Sequence, residues 1–536
     1  MTIATSVTAL IAPDPHELAN LVGGGLPLPD RVPGESRIEV HPSRLAHACG
    51  AIATRLGARL ATMVGEDDRA TSDTYRLSYV FAPPAGGWVT IETALSPRDP
   101  AFPSVTPLVP AANWYEREVH DLLGLAPIGH PDPRRLVLHD DWPAGVYPLR
   151  KDFDPARAVP TDENPPFLFP ALHGDAILEI PVGPIHAGVI EPGHFRFAAV
   201  GEAILHLEPR LFYVHRGIEK VAEGKSPAHV LQIAERICGA CSCSHAVAYC
   251  QAVELIAGCA IPARAAALRT VWLEMERLYN HIGDLGNICA GVGFAVGAAL
   301  GAKLKDDLQR LNEQFVGNRF LHGACTIGGV RHDLSPQSAR ALESALSGTA
   351  AQFGDLLSLM MGSEIVVERL TGTGVLPAKV ARDLAVVGVA ARASGLDLDS
   401  RRDHPYASYD RLPLELRVPV RDEGDAMARA LTRSDEAIVS FAIIRGLLAN
   451  LPDGPIASVV GPIPGNGTAF SLTESPRGEN LHWVQTTEDG AIGRYRVRSA
   501  SYPNWPAVAA AVPGNMVPDF PLINKSFELC YACLDR

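Results

Sequence analysis

The chain has 536 residues, enough for two or three domains and at least one large core. It is 47% hydrophobic and 20% charged, the make-up of an ordinary globular protein. A net charge of −13 with scattered Lys and Arg excludes the basic face that nucleic-acid binding requires.

The opening "MTIATSVTALIAPDPHE" has no basic n-region and no signal-peptide core. A helical stretch is expected over 43–67, followed by strands over 74–82 ("TYRLSYVFA") and 87–95 ("GWVTIETAL"), an α+β pattern. Residues 113–153 are dense in charge, proline and aromatics, and the charged positions of "EREVHDLLG" (116–124) read as a structural brace. Five prolines without periodicity make 154–175 the expected linker. A strand-rich segment over 176–210 then leads into helical periodicities at 228–258, 262–290, 300–316, 337–370 and 424–450, with charged faces opposite apolar ones. The most apolar run, 288–304, stops short of the ~20 residues that span a bilayer and reads as a buried helix or a glycine-rich bend. Strands return at "IASVVGPI" (456–463) and in "LHWVQTTEDGAIGRYRVRSA" (481–500), where "EDG" marks a hairpin turn. The expected organisation is an α+β domain over 1–153, a linker over 154–175, and over 176–536 a mainly α-helical domain with β segments at both ends. No Gly-x-Gly-x-x-Gly stands at a strand–helix junction, so a dinucleotide site is not expected.

Ten cysteines in a chain this long are no disulfide scaffold. Cys49, Cys243, Cys250, Cys259, Cys289 and Cys325 share no ligand spacing and read as small buried hydrophobes. Two Cys-x-x-Cys pairs differ: Cys238/Cys241 in "RICGACSCSH" (236–245) and Cys530/Cys533 in "SFELCYACLDR" (526–536). A pair at this spacing on a turn can aim both sulfurs at one ion. Cys241 and Cys530 are 289 positions apart, so three readings stand: a zinc knot, two unrelated pairs, or one buried site assembled from both ends of a domain.

"ERICGACSCSH" resembles the signature of nickel–iron hydrogenase large subunits, with Arg236, Cys238, Gly239, Cys241 and His245 in register, and "SFELCYAC" resembles their C-terminal motif. "FSLTESPRGENLHWVQTTEDGAIGRYRVRSASYPNWP" resembles the family's Pro-Arg-Gly stretch, and "GVIEPGHFRF" its opening segment with Pro192 added. "HRGIEKVAEGKS" (215–226) and "LEMERLYNHIGDLG" (273–286) are similar to the quinone-side large subunit of respiratory complex I. Residues 114–153 are similar to its adjoining peripheral-arm subunit, fused in front. Together these motifs resemble the formate hydrogenlyase type of complex-I-like nickel–iron hydrogenase.

That resemblance implies reversible formation of H2 from protons and electrons, with H2 evolution the expected direction. It implies a nickel–iron centre with carbon monoxide and cyanide on the iron. Cys238 and Cys530 would be terminal nickel ligands, and Cys241 and Cys533 would bridge to iron. Arg477 would stand over the nickel as a fixed cation, since arginine hardly deprotonates. Glu191 would carry protons away from Cys530, and His245 would hydrogen-bond a bridging sulfur. No cysteine set remains for an iron–sulfur cluster, so an iron–sulfur small subunit of complex I type would take the electrons, next to antiporter-like membrane subunits. Maturation proteins would supply the iron's ligands. The chain itself would carry no membrane span and would sit on the cytoplasmic face of the membrane through its partners.

Two departures stand out. The family's Asp-Pro before the last pair is Glu528-Leu529 here. The last residue is Arg536 where relatives commonly end at His, which fits either a chain clipped after an arginine or one that needs no clipping. The alternative reading is a non-hydrogenase quinone-site or structural subunit of a complex-I-like assembly, whose counterparts lack the four cysteines.

Overall fold

The computed structural model describes residues 13–162, 167–170, 172, 174, 176–187 and 190–536. Most of the opening segment and parts of the expected linker therefore lie outside the described residues. The protein is mixed α/β, with an N-terminal sheet region and a later helical region. It forms two compact units, divided after Pro170; Arg210–Lys220 and Asp535 belong to the first unit.

In the first unit five strands lie in the order Leu26–Leu28, Glu35–Glu39, Trp88–Leu95, Tyr75–Ala82, Arg59–Asp67. Within this sheet the Glu35–Glu39/Trp88–Leu95 pair is parallel and the others are antiparallel. The helix expected over 43–67 is realised as Leu45–Arg55, and Arg59–Asp67 is instead a strand. Gly57 at φ +61° breaks the helix. The strand behind it is buried on both faces at nearly every position, so it lacks the alternation that would mark it in sequence. Glu116 and Asp121 of the Asn113–Leu123 helix bond within the unit. Glu116 accepts from the Tyr79 hydroxyl (3.0 Å), the Val105 N–H (2.6 Å) and the Thr106 hydroxyl (2.8 Å). Asp121 Oδ2 accepts from the N–H groups of Leu136, Val137 and Leu138.

Glu66 lies in the same sheet, buried, with no hydrogen bond to its Oε2 among the described residues. Burial, together with Asp68 and Glu92, pushes its carboxyl up to about 7 against the pull of Arg31 and Arg76. The folded chain therefore holds a proton that the unfolded chain has released, and stability falls as pH rises from about 4.5 to 7, by roughly 3 kcal/mol. Glu66→Gln is expected to remove that loss. Its melting temperature relative to the parent rises between pH 5 and pH 8, and a constant difference across that range contradicts the assignment.

The second unit is built on long helices: Ser242–Ala257, Ala263–Gly291, Ala295–Val316, Pro336–Met361 and Ala426–Ala449. The apolar run at 288–304 is a bend, Val292–Phe294, between two of them. These two helices can pack closely because Gly286 and Gly301 face each other. A Cβ on Gly286 would stand 2.9 Å from Gly301 Cα. The periodicity at 228–258 breaks at 235–241, where the first cysteine pair forms a turn, and that at 337–370 bends by 77° after Met361. Among the described residues no single helix is long and apolar enough to cross a membrane.

Two small sheets complete this unit. Ile177–Val182, His194–Val200 and Ala203–Arg210 form one. Thr468–Ser475, Gly478–Thr486 and Ile492–Arg498 form the other as successive antiparallel pairs, with Glu488-Asp489-Gly490 in the second turn as expected. The strand expected at 456–463 does not form. That segment makes one bridge, Ala457 to Gly329, among prolines 455, 462 and 464, which cannot donate to a ladder.

Candidate metal centre

Cys238 and Cys241 occupy the turn between the helices Pro227–Ala234 and Ser242–Ala257, and the Cys241 N–H donates to Cys238 Sγ at 3.2 Å. One face of the Ala263–Gly291 helix holds this turn. Glu276 accepts from the N–H groups of Cys243 (2.6 Å) and Ser244 (3.0 Å), filling the exposed donors at the start of the Ser242–Ala257 helix. Burial pushes the Glu276 carboxyl up to about 8. One turn on, the Asn280 amide donates to the Ala240 carbonyl at 2.7 Å.

The second pair is fixed from the other side. The helix Phe520–Phe527 ends at Glu528, which adopts φ +53°. Arg433 donates to the Phe527 carbonyl at 2.9 Å, and Arg429 reaches Ser526 Oγ at 2.9 Å with its guanidinium 4.2 Å above the Phe527 ring. The Cys530 N–H donates to Ser501 Oγ at 3.1 Å, and Cys533 follows on the short helix Tyr531–Asp535. The two motifs meet. Cys238 Sγ and Cys530 Sγ are 3.7 Å apart, and ligand atoms of Cys238, His245 and Cys533 lie within 4.8 Å of one another.

All four thiols are free; three are buried and Cys530 is half-buried. Hydrogen bonds from Cys241, Cys530 and Cys533 hold the Cys238 thiol well below the usual range. A sulfur separation of 3.7 Å is far beyond a disulfide bond. It matches what two thiolates keep on one ion, since bonds of about 2.3 Å in a tetrahedron set sulfurs roughly 3.8 Å apart. Four soft thiolates suit nickel and iron. The donor set fits a thiolate-held metal centre.

Arg477 sits in the turn between the strands Thr468–Ser475 and Gly478–Thr486. Its guanidinium is paired with both oxygens of Asp284, Nη2 at 3.0 Å, and reaches Asn280 Oδ1 at 3.4 Å. Burial opposes its charge, but Asp284, Cys530, Glu528 and Cys241 hold it well above its usual range. Its buried Nε has no hydrogen-bond partner among the described residues. Glu528 takes a bond from the Asn287 amide at 2.5 Å, and burial together with Asp284 pushes its carboxyl up to about 7. Glu191 Oε2 accepts the Ala532 N–H at 2.8 Å, inside the Cys530–Cys533 turn, although its loop is exposed and Pro192 follows it. His245 Nε2 lies 3.1 Å from Cys533 Sγ. Arg236 is instead directed outward and donates to Gln232 O.

Sequence reading alone did not single out Asp284, Glu276, Asn280, Asn287 or His482. The first four recur at intervals of three or four on one helix, a polar ladder that reads as a solvated face until the helix is seen to be buried.

Residues 216–288 match the family described as nickel-dependent hydrogenase. Residues 292–461 and 458–536 match the respiratory-chain NADH dehydrogenase 49 Kd subunit, and residues 38–159 the 30 Kd subunit. Formate hydrogenlyase subunit 5 of Escherichia coli is 37% identical over 90% of this chain and 85% of that protein. Hydrogenase-4 component G of the same organism is 36% identical over 89% and 84%. Among solved structures, a chain of the archaeal membrane-bound sulfane sulfur reductase superimposes with TM-score 0.64 at 27% identity, over 67% of this chain and 99% of its own. The chain belongs to the family of complex-I-like nickel–iron hydrogenase large subunits in which the 30 Kd- and 49 Kd-type regions are fused.

Proposed function

We propose that this chain is the catalytic large subunit of a membrane-associated, energy-converting hydrogenase that interconverts H2 with two protons and two electrons. The observation that carries this is the convergence of Cys238 and Cys530, 292 positions apart, at 3.7 Å. Their neighbours Cys241 and Cys533 and the paired Arg477–Asp284 belong to the same cluster. Cys238, Cys241, Cys530 and Cys533 would hold a nickel–iron centre, with carbon monoxide and cyanide on the iron, that would supply the two-electron chemistry of H2. In this reading Cys238 and Cys530 would hold the nickel, and Cys241 and Cys533 would hold the centre with them.

The chain's own residues handle charge and protons. Arg477 keeps its proton and acts as a fixed cation aimed by Asp284, costing no reorganisation when charge develops beside it. In this reading Cys530, the half-buried cysteine of the four, passes a proton outward and Glu191, which accepts the Ala532 N–H, receives it. Glu528, with its carboxyl near 7, can hold a proton on the Arg477 side. His245 donates to Cys533 Sγ and draws charge from it.

The same reading divides the chain into a bracing domain (1–153), a linker (154–175) and a catalytic domain (176–536). Electrons pass through an iron–sulfur small subunit of complex I type, beside antiporter-like membrane subunits on the cytoplasmic face, after maturation proteins have built the centre. A quinone-site or structural role draws support from the 49 Kd-type match. The two readings separate on one assay. The complex purified with its native partners is expected to evolve H2 from a reduced viologen dye in proportion to its nickel. Quinone or sulfur-compound reduction without H2 turnover contradicts the hydrogenase reading.

A further inference from the structure

The His245 ring is the inner end of a buried chain of polar groups. Its Nε2 lies 3.1 Å from Cys533 Sγ and its Nδ1 is 2.8 Å from His482 Nε2, while His482 Nδ1 is 2.8 Å from the Tyr495 hydroxyl. All three rings are fully buried. The backbone explains the placement. His482 pairs with Val497 and Tyr495 with Val484, so His482 and Tyr495 are diagonal neighbours on one face of the sheet. His245 lies in the first turn of the Ser242–Ala257 helix, which the Thr473 hydroxyl ties to that sheet through the Ser244 carbonyl at 2.9 Å.

The chain has a direction. A thiolate sulfur can only accept, so the His245 proton must be on Nε2. The alternation that makes all three bonds with one proton on each ring has His482 donating from Nε2 to His245 Nδ1. That leaves His482 Nδ1 to accept, and the Tyr495 hydroxyl is the donor that reaches it. Each bond polarises the next, so three hydrogen bonds push in one direction, toward Cys533 Sγ.

We propose that His482 and Tyr495 are positioning residues that fix the His245 tautomer and orientation, and so set the electron density on Cys533 Sγ. The inference rests on the reading of Cys533 as a ligand of the nickel–iron centre. Losing the chain leaves more charge on that sulfur and hence on the iron, which lowers the stretching frequency of a carbon monoxide bound there.

The test is the infrared spectrum and nickel content of the complex purified with its native partners, as parent, Tyr495→Phe, His482→Met and His482→Gln. The carbon monoxide band is expected to move to lower wavenumber in Tyr495→Phe and further in His482→Met. In His482→Gln, whose amide N–H can replace Nε2–H, it returns to within one linewidth of the parent. Nickel per chain is unchanged in Tyr495→Phe, which loses only a hydroxyl and decides the matter alone if His482→Met does not accumulate. Bands that coincide in the parent and the variants, or a glutamine variant displaced as far as the methionine one, overturn the inference while leaving the nickel–iron reading intact. No band in any of the four proteins overturns the nickel–iron reading and this inference with it.

Discussion

Cys530→Ala is expected to leave the purified complex with less than about a tenth of the parent's nickel and no measurable H2 turnover. Thiolate-held metals contribute about 10–16 kcal/mol over four ligands, so one thiolate represents roughly 3 kcal/mol, or about 10²-fold in affinity. The remaining sulfurs cannot close the gap, because each is anchored separately: Cys238 by the Cys241 N–H, Cys533 by His245. Cys259→Ala is the matched control. Cys259 is half-buried, outside the cluster, and its loss is expected to change neither nickel nor turnover. Equal nickel in Cys530→Ala and Cys259→Ala would place the metal elsewhere.

Arg477→Lys should separate binding of the centre from its use. Lysine keeps the charge but replaces a planar fork with a point, and so loses the two-oxygen pairing with Asp284. Among the described residues Arg477 makes no hydrogen bond to the four thiols or their backbone, so nickel per chain and the infrared bands are expected to match the parent in intensity. Removing one fixed electrostatic partner from a reacting site costs about 10²- to 10³-fold in rate, and a loss of that size in H2 turnover is expected. A variant within about threefold of the parent would reduce Arg477 to a structural residue, whose own interactions leave its rate untouched. One that loses nickel would make it part of the metal's support.

The two cysteine pairs were legible in the sequence because each Cys-x-x-Cys turn is set by a few consecutive residues, whereas His245 and Arg477 were singled out only by the resemblance of the stretches around them. Convergence of these groups depends on residues with no such signature. Arg392 pairs with Glu436 (2.8 Å) and Glu474 (2.9 Å) inside the helical unit, and Arg277 bonds to Glu274 at 3.3 Å. In sequence Glu274, Arg277 and Glu436 read as charged faces of amphipathic helices, and Arg392 and Glu474 lie outside the helical periodicities. In the fold they are buried and satisfied by one another, as buried charges must be. His482 and Tyr495 were hidden for a different reason. They lie 13 positions apart and reach His245 only through strand register, which a one-residue slip would undo. Arg59–Asp67 was missed because a strand buried on both faces shows no alternation.

The most direct measurement is metal analysis of the complex purified with its native partners, read with its infrared spectrum in the carbon monoxide and cyanide stretching region. One nickel and one iron per large subunit, beyond the iron of the partners' clusters, together with those bands, is the predicted result. Zinc or no metal at the four thiols, with no bands in fully matured complex, would contradict the account and leave a complex-I-like scaffold with unused cysteines.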